Sequence, residues 1–232
     1  MNYDFEKGEI LLIHKPLEWT SFDVVNKIRY ALSKKLNKKI KVGHAGTLDP
    51  LATGLLIICT GKMTKQIDQL QTLTKKYEAT FCLGATTASY DAETPIEATF
   101  PTEHITPEFI YITAQKFIGT QAQIPPIYSA IKVDGKKMYE QARKGKNPTI
   151  NPRTIEIIQF EIKQIEMPHV KALIHCSKGT YIRSIAYDFG VALQSGAYLS
   201  QLERTQIGEY ELSNALTIEQ FLAQIQPTTP TL

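Results

Sequence analysis

Apolar residues recur at helical spacing in some stretches of the chain and alternate or cluster in others, which predicts strands interleaved with single helices. Phe22, Val25, Ile28, Leu32 and Leu36 follow a period near that of an α-helix, with Ser21 placed to cap it. A second amphipathic helix is predicted through Ile182, Ile185, Ala186, Phe189 and Leu193, capped by Thr180. Thr106-Pro107-Glu108 combines a capping hydroxyl, a proline at the first helical position and an acid in the first turn, so a helix should run from there to about residue 118. Residues 9–14 and the compact run 54–59 between glycines read as strands. Residues 75–84 alternate, with Tyr77, Ala79, Phe81 and Leu83 on one face.

Residues 154–165 and 170–176 read as a strand pair broken at Pro168. Asp134-Gly135 is the predicted tight turn, followed by a short helix over 136–143 closed by Gly145, and a last short helix is expected over 218–225. Strands without strict alternation with helices indicate an α+β domain rather than a doubly wound one. No repeat, low-complexity linker or composition shift marks a boundary, so one domain over 1–232 is expected, with 211–232 as a short C-terminal helix and tail.

With 232 residues, 43% of them hydrophobic, and 21% charged, the chain can bury a substantial core and has none of the composition of disorder. Cys59, Cys82 and Cys176 are odd in number and far apart, which suggests neither a disulfide framework nor a zinc knuckle and fits a reducing cytoplasm. The acidic start and the shortness of its apolar run do not resemble a signal peptide. The net charge of +3 is unevenly spread: Lys27, Arg29, Lys34, Lys35, Lys38, Lys39 and Lys41 fall where no acid intervenes between Asp23 and Asp49. A second basic stretch contains Lys132, Lys136, Lys137, Arg143, Lys144 and Lys146. These are either a polyanion-binding face or an ordinary lysine-rich surface.

The densest chemical signal is Gly43-His44-Ala45-Gly46-Thr47-Leu48-Asp49-Pro50-Leu51-Ala52-Thr53-Gly54. Pro50 disfavours a helical conformation at Asp49, and Gly43 and Gly46 leave room for a ligand backbone, so the loop presents its carboxylate. Local physics alone favours an ordinary Asp-Pro turn between strands. No second carboxylate lies in the loop, and His14, His44, His104, His169 and His175 lack metal-ligand spacing. Walker and dinucleotide fingerprints are missing too, and a single carboxylate working as a nucleophile remains open.

This loop resembles the Gly-His-x-Gly-x-Leu-Asp-Pro-x-Ala-x-Gly signature of the TruB family of tRNA pseudouridine synthases. Other stretches agree in order: Lys15-Pro16 with Thr20-Ser21, Lys76-Tyr77 with Leu83-Gly84, residues 124–132 with Gly135, Tyr139, Ala142, Arg143 and Gly145, and residues 176–184 around Arg183. The matches extend over about residues 10–210. The resemblance implies a pseudouridine synthase fold, with a central mixed, largely antiparallel sheet, flanking helices and a basic active-site cleft. It implies uridine isomerisation in the T-arm loop of tRNA, at the position conventionally numbered 55, by a cytoplasmic monomer that needs no cofactor or metal and no protein partner.

Residue by residue, the resemblance makes Asp49 the nucleophile, attacking ribose C1′ or the uracil ring, and Arg183 the cation that pairs with it and keeps it ionised. Tyr77 would stack on the extruded uracil and receive or relay the C5 proton. Leu202 would line the uracil pocket, His44 would fill space vacated by flipped bases, and Tyr181 would be a second pocket aromatic. Packing and turn roles are the alternatives for these residues.

The chain also departs from the family pattern. His14 and Glu18 stand where the first motif usually has an acid and a glycine, so the turn there is expected to differ. Ala88, Tyr90 and Thr94 alter a segment in which Asp91 is kept, and Glu203 replaces a frequent arginine that would touch RNA phosphate. Many bacterial relatives continue into a C-terminal RNA-binding PUA domain, and none is expected here. The rival readings are a synthase acting on another RNA uridine and a noncatalytic RNA-binding or RNA-folding protein.

Overall fold

The computed structural model describes residues 3–129, 132–133, 136–138 and 151–225. They fall into two compact units, Met1–Lys75 with Glu203–Leu232 and Lys76–Leu202.

The first unit is built on strand β3 (Ala52–Thr60), whose uninterrupted apolar run is buried along nearly its whole length because both of its faces are covered. Strand β1 (Ile10–Lys15) pairs with it antiparallel from Ile10 opposite Cys59 to Lys15 opposite Gly54. The short β2 (Val42–His44) also pairs with β3, placing His44 opposite Ile58. On one face, Leu56 and Ile58 join Leu11 and Ile13 under helix α1 (Ser21–Leu36), which contributes Val24, Val25, Ile28 and Leu32. On the other, Leu55, Ile57 and Cys59 pack with Ala45, Leu70 and Ile207.

Helix α1 starts one residue earlier than the sequence suggested. Thr20 is the cap: its hydroxyl accepts from the Asp23 N–H at 3.0 Å and its own N–H donates to the Asp23 carboxylate at 2.9 Å. Ser21 is unavailable because its buried hydroxyl is bonded to Leu48. Phe22 therefore points outward, 59% exposed under the Arg29 guanidinium, and Val24 takes the core position expected of it.

The second unit contains a sheet in the order β12-β4-β11-β10-β7, comprising β4 (Lys75–Leu83), β7 (Gly119–Gln123), β10 (Arg153–Glu166), β11 (His169–Cys176) and the first part of β12 (Ala197–Ile207). The last part of β12 belongs to the first unit, beside β3. β10 pairs antiparallel with both β11 and β7, while the bridge between Asp91 and Leu199 is parallel, so the pairing is mixed but largely antiparallel. As the alternation required, Tyr77, Ala79, Phe81 and Leu83 are all buried. Phe81, Phe117, Phe160 and Phe189 form an aromatic cluster with centroid separations of 5.3 to 6.0 Å.

Helix α2 (Ile67–Gln71) belongs to the first unit, and α3 (Pro107–Lys116), capped by Thr106 as expected, to the second. Helix α4 (Ile182–Ala192) is not capped by Thr180, whose hydroxyl donates to the Ser177 carbonyl at 3.0 Å. Gln123 serves its start instead: its side chain accepts from the Tyr181 N–H at 2.8 Å and donates to the Tyr181 carbonyl at 3.1 Å. Helix α5 (Ile218–Ile225) matches its prediction. The helix predicted over 136–143 does not begin there: Lys136–Lys137 is a strand paired antiparallel with Lys132–Val133. Met138, the next residue, is helical and buried, while the predicted Asp134-Gly135 turn and residues 139–143 lie outside the described residues. Among the described residues no helix is long and apolar enough to cross a membrane.

Candidate active site

Asp49 lies half-buried in the connection between β2 and β3, and the structure fixes that connection residue by residue. Leu48 is buried and tied at both main-chain groups to Ser21, whose hydroxyl accepts from the Leu48 N–H at 2.8 Å and donates to the Leu48 carbonyl at 3.1 Å. The Asp49 carbonyl accepts from the Ala52 N–H at 3.1 Å, closing a turn around Pro50, and the Pro50 carbonyl accepts from the Glu18 N–H at 2.9 Å. Glu18 stands where a glycine is usual, yet keeps a left-handed backbone (φ 66°), so the turn expected to differ retains a glycine-like conformation with a side chain on it.

Two buried cations hold the backbone of this loop. Lys15 is fully buried, and its ammonium donates to the carbonyls of Trp19 at 2.6 Å, Pro16 at 2.8 Å and Pro50 at 3.3 Å. Burial pushes its pKa down to about 8, against the opposing attraction of the Asp49 carboxylate and with a further push from Arg204. Arg204, 1% exposed, donates from Nε to the Leu55 carbonyl at 2.8 Å and from its terminal nitrogens to Gly46 at 3.0 Å and Thr47 at 3.4 Å.

His44 sits at the end of β2, half-buried. Burial first, and then the positive charge of Arg204, lower its pKa, partly offset by a hydrogen bond with the Gly46 backbone. Its Nδ1 is buried without a hydrogen-bond partner among the described residues.

The remaining predicted residues belong to the second unit. Tyr77 is 8% exposed on β4, and Leu202 is half-buried on the neighbouring strand β12. Tyr181 and Arg183 stand two residues apart at the start of α4, the Tyr181 ring lying under the Arg153 guanidinium at 5.7 Å. Arg183 is buried; its Nη1 donates to the Ser89 carbonyl at 3.1 Å and its Nε lies 3.5 Å from the Asp91 carboxylate. Asp91 is fixed in turn by the Ser89 hydroxyl at 2.5 Å and the Glu93 N–H at 3.0 Å. The structure thus groups Asp49 with His44 in one unit, and Tyr181 with Arg183 and Tyr77 with Leu202 in the other.

Sequence reasoning gave no role to Arg204 or Gln123, read Ser21 only as a helix cap, and noted Asp91 only as retained. His14 and Glu203, both departures from the family pattern, meet in the first unit with His14 Nε2 at 3.5 Å from the Glu203 carboxylate. Thr53 lies 3.4 Å from the same oxygen, so Glu203 faces protein partners here. Among the described residues no group of three or more His, Cys, Asp or Glu is arranged to hold a metal ion.

Residues 34–182 match the family model described as TruB family pseudouridylate synthase (N terminal domain). The chain is 54% identical over 225 residues to a tRNA pseudouridine synthase B of Flavobacterium johnsoniae, covering 96% of this chain and 98% of that relative. It is 55% identical over 219 residues to the tRNA pseudouridine synthase B of Phocaeicola vulgatus, covering 94% of this chain and 93% of that one. Among solved structures, a chain of a Cbf5-Nop10-Gar1 complex matches with a TM-score of 0.70 and 27% identity over 94% of this chain, which spans about half (54%) of that longer chain. By the family model over residues 34–182 and by relatives more than half identical over nearly its whole length, the chain belongs to the TruB family of pseudouridylate synthases.

Proposed function

We propose that the chain isomerises uridine to pseudouridine in the T-arm loop of tRNA, at the position conventionally numbered 55, with Asp49 as the nucleophile. The observation that carries this reading is the Asp49 loop, in which a single carboxylate is presented from a backbone bonded at Gly46, Thr47, Leu48 and Pro50. A nucleophile held this way approaches its target with little conformational freedom left to lose. Relatives more than 50% identical over nearly the whole chain bear the name tRNA pseudouridine synthase B, which supports tRNA as the substrate.

In the proposed reaction the N1–C1′ bond breaks, a C5–C1′ bond forms, the C5 proton departs and N1 regains a proton, so the product has the composition of the substrate. Attack at C1′ and attack on the uracil ring both use the same carboxylate. Tyr77 stacks on the extruded base and takes up or relays the C5 proton, and Arg183 pairs with the nucleophile. Tyr181, Leu202 and His44 line the space for the flipped nucleotide and its loop. The enzyme acts in the cytoplasm as a monomer.

The test is incubation with unmodified tRNA followed by position-resolved nucleoside analysis, with Asp49→Asn in parallel. One pseudouridine at the T-loop position with the native chain, and none with a folded, tRNA-binding Asn variant, is the expected result. Product at a different uridine would redirect the substrate assignment, and turnover by a verified pure Asn variant would remove Asp49 from the mechanism.

A further inference from the structure

We propose that Arg204 is a positioning residue for the nucleophile, setting the span of the Asp49 loop by gripping both of its stems with one guanidinium. This rests on the reading of Asp49 as the nucleophile. Gly46 and Thr47 precede Asp49 and Leu55 follows it, and the carbonyls of all three accept from the same side chain. Because the guanidinium is a rigid planar fork, bonds from its Nε edge to one stem and its terminal nitrogens to the other fix the distance between them. A lysine, with a single point of charge, holds one stem at a time.

The backbone has been shaped around this grip. Gly54 has φ 106°, and a Cβ there would lie 2.4 Å from the Arg204 carbonyl oxygen and 2.6 Å from its nitrogen, so β3 reaches β12 at this point only without a side chain. Arg204 is also buried without an ion-pair partner among the described residues, its charge met by carbonyl oxygens. Burying a cation this way is costly for folding, and an apolar side chain of similar volume would fill the same space at less expense. The charge is therefore better explained by what it does to the loop. Beside their burial, its charge also lowers the proton affinity of Lys15 and of His44.

The experiment compares the native chain with Arg204→Lys, Arg204→Gln and Asp49→Asn, measuring melting temperature, tRNA dissociation constant and the single-turnover rate of pseudouridine formation at saturating tRNA. The Gln variant should lose about 100-fold in rate, the scale expected when a reacting group is displaced by an ångström, while its tRNA affinity is kept. Lys should recover part of that loss. A folded Lys or Gln variant with the native rate overturns the proposal, as does a loss that appears in affinity instead of rate. If neither variant folds, Arg204 is a folding residue and the positioning role is rejected. Native activity in Asp49→Asn would instead reject the nucleophile reading, whereas an inert Asp49→Asn beside fully active Arg204 variants rejects this inference alone.

Discussion

Arg183 and Asp91 face each other at 3.5 Å with both side chains almost wholly removed from solvent. Removing one partner of such a pair weakens the support of the other charge, which costs up to about 3 kcal/mol in typical buried pairs. Asp91→Asn should therefore lower stability to urea by roughly that amount, somewhat relieved because the amide oxygen can still accept from Ser89. A loss below about 1 kcal/mol would show that the guanidinium relies on its other contacts. Arg183→Lys should reduce single-turnover rate more than tRNA affinity, since a point charge cannot reproduce a planar fork; an unchanged rate would count against its pairing role.

Gly54→Ala is expected to destabilise the chain by at least about 2 kcal/mol, because left-handed backbone and a backbone clash against Arg204 add together. Equilibrium denaturation measures it. A near-neutral substitution would mean that β3 can move away from β12 without harm.

Lys15 gives stability a pH dependence whose sign is fixed. Its folded pKa of about 8 lies below the ordinary 10.5, so between those values the unfolded chain holds more protons and stability attributable to this group rises with pH. Below about pH 8 both states are protonated and the contribution is level. The stability difference between the native chain and Lys15→Met should therefore shift in favour of the native chain by about 1–2 kcal/mol from pH 8 to pH 9.5. Denaturation at the two pH values checks it, and a shift of opposite sign would contradict the buried ammonium.

Salt dependence of tRNA binding should separate the lysines of α1 and its C-terminal extension. All four are exposed, but Lys38 is paired with Glu6 at 2.5 Å and Lys35 donates to the Ile225 carbonyl at 2.7 Å, whereas no side-chain bond holds Lys34 or Lys39 among the described residues. For every lysine–phosphate pairing removed, the log-log slope should fall by about 0.7 on single strands or 0.9 on duplex. Neutralising Lys34 and Lys39 should flatten the slope more than neutralising Lys35 and Lys38. Equal effects, or none, would place these residues on an ordinary solvated surface.

The strands and helices readable in advance were those whose pattern is local: the alternation of Tyr77, Ala79, Phe81 and Leu83, the capped start at Thr106, and the buried run of β3. The Asp49 loop was readable for a similar reason, since its glycines and proline restrict their own backbone. What escaped was set by partners distant in sequence. Ser21 looked like a cap until Leu48 claimed its hydroxyl, and Gln123 could not be seen at the start of α4 from its own neighbourhood. Arg204 read as one more polar residue in a strand because the carbonyls it binds lie about 150 residues away. Glu18 and Tyr90 show a further case, side chains held at positive φ, a conformation their own sequence neighbourhood did not announce.

The grip of Arg204 on Gly46, Thr47 and Leu55 is made entirely to carbonyl oxygens, which every amino acid carries. The grip itself asks nothing of the Thr47 side chain, whereas Gly46 keeps a φ of 105° and Leu55 is buried in the core. Constraint is concentrated on two points, the guanidinium and the glycine at position 54. A lineage could remodel the surface offered to RNA around Asp49 freely, so long as those two residues stayed fixed, which would let substrate preference evolve while the nucleophile remained in place.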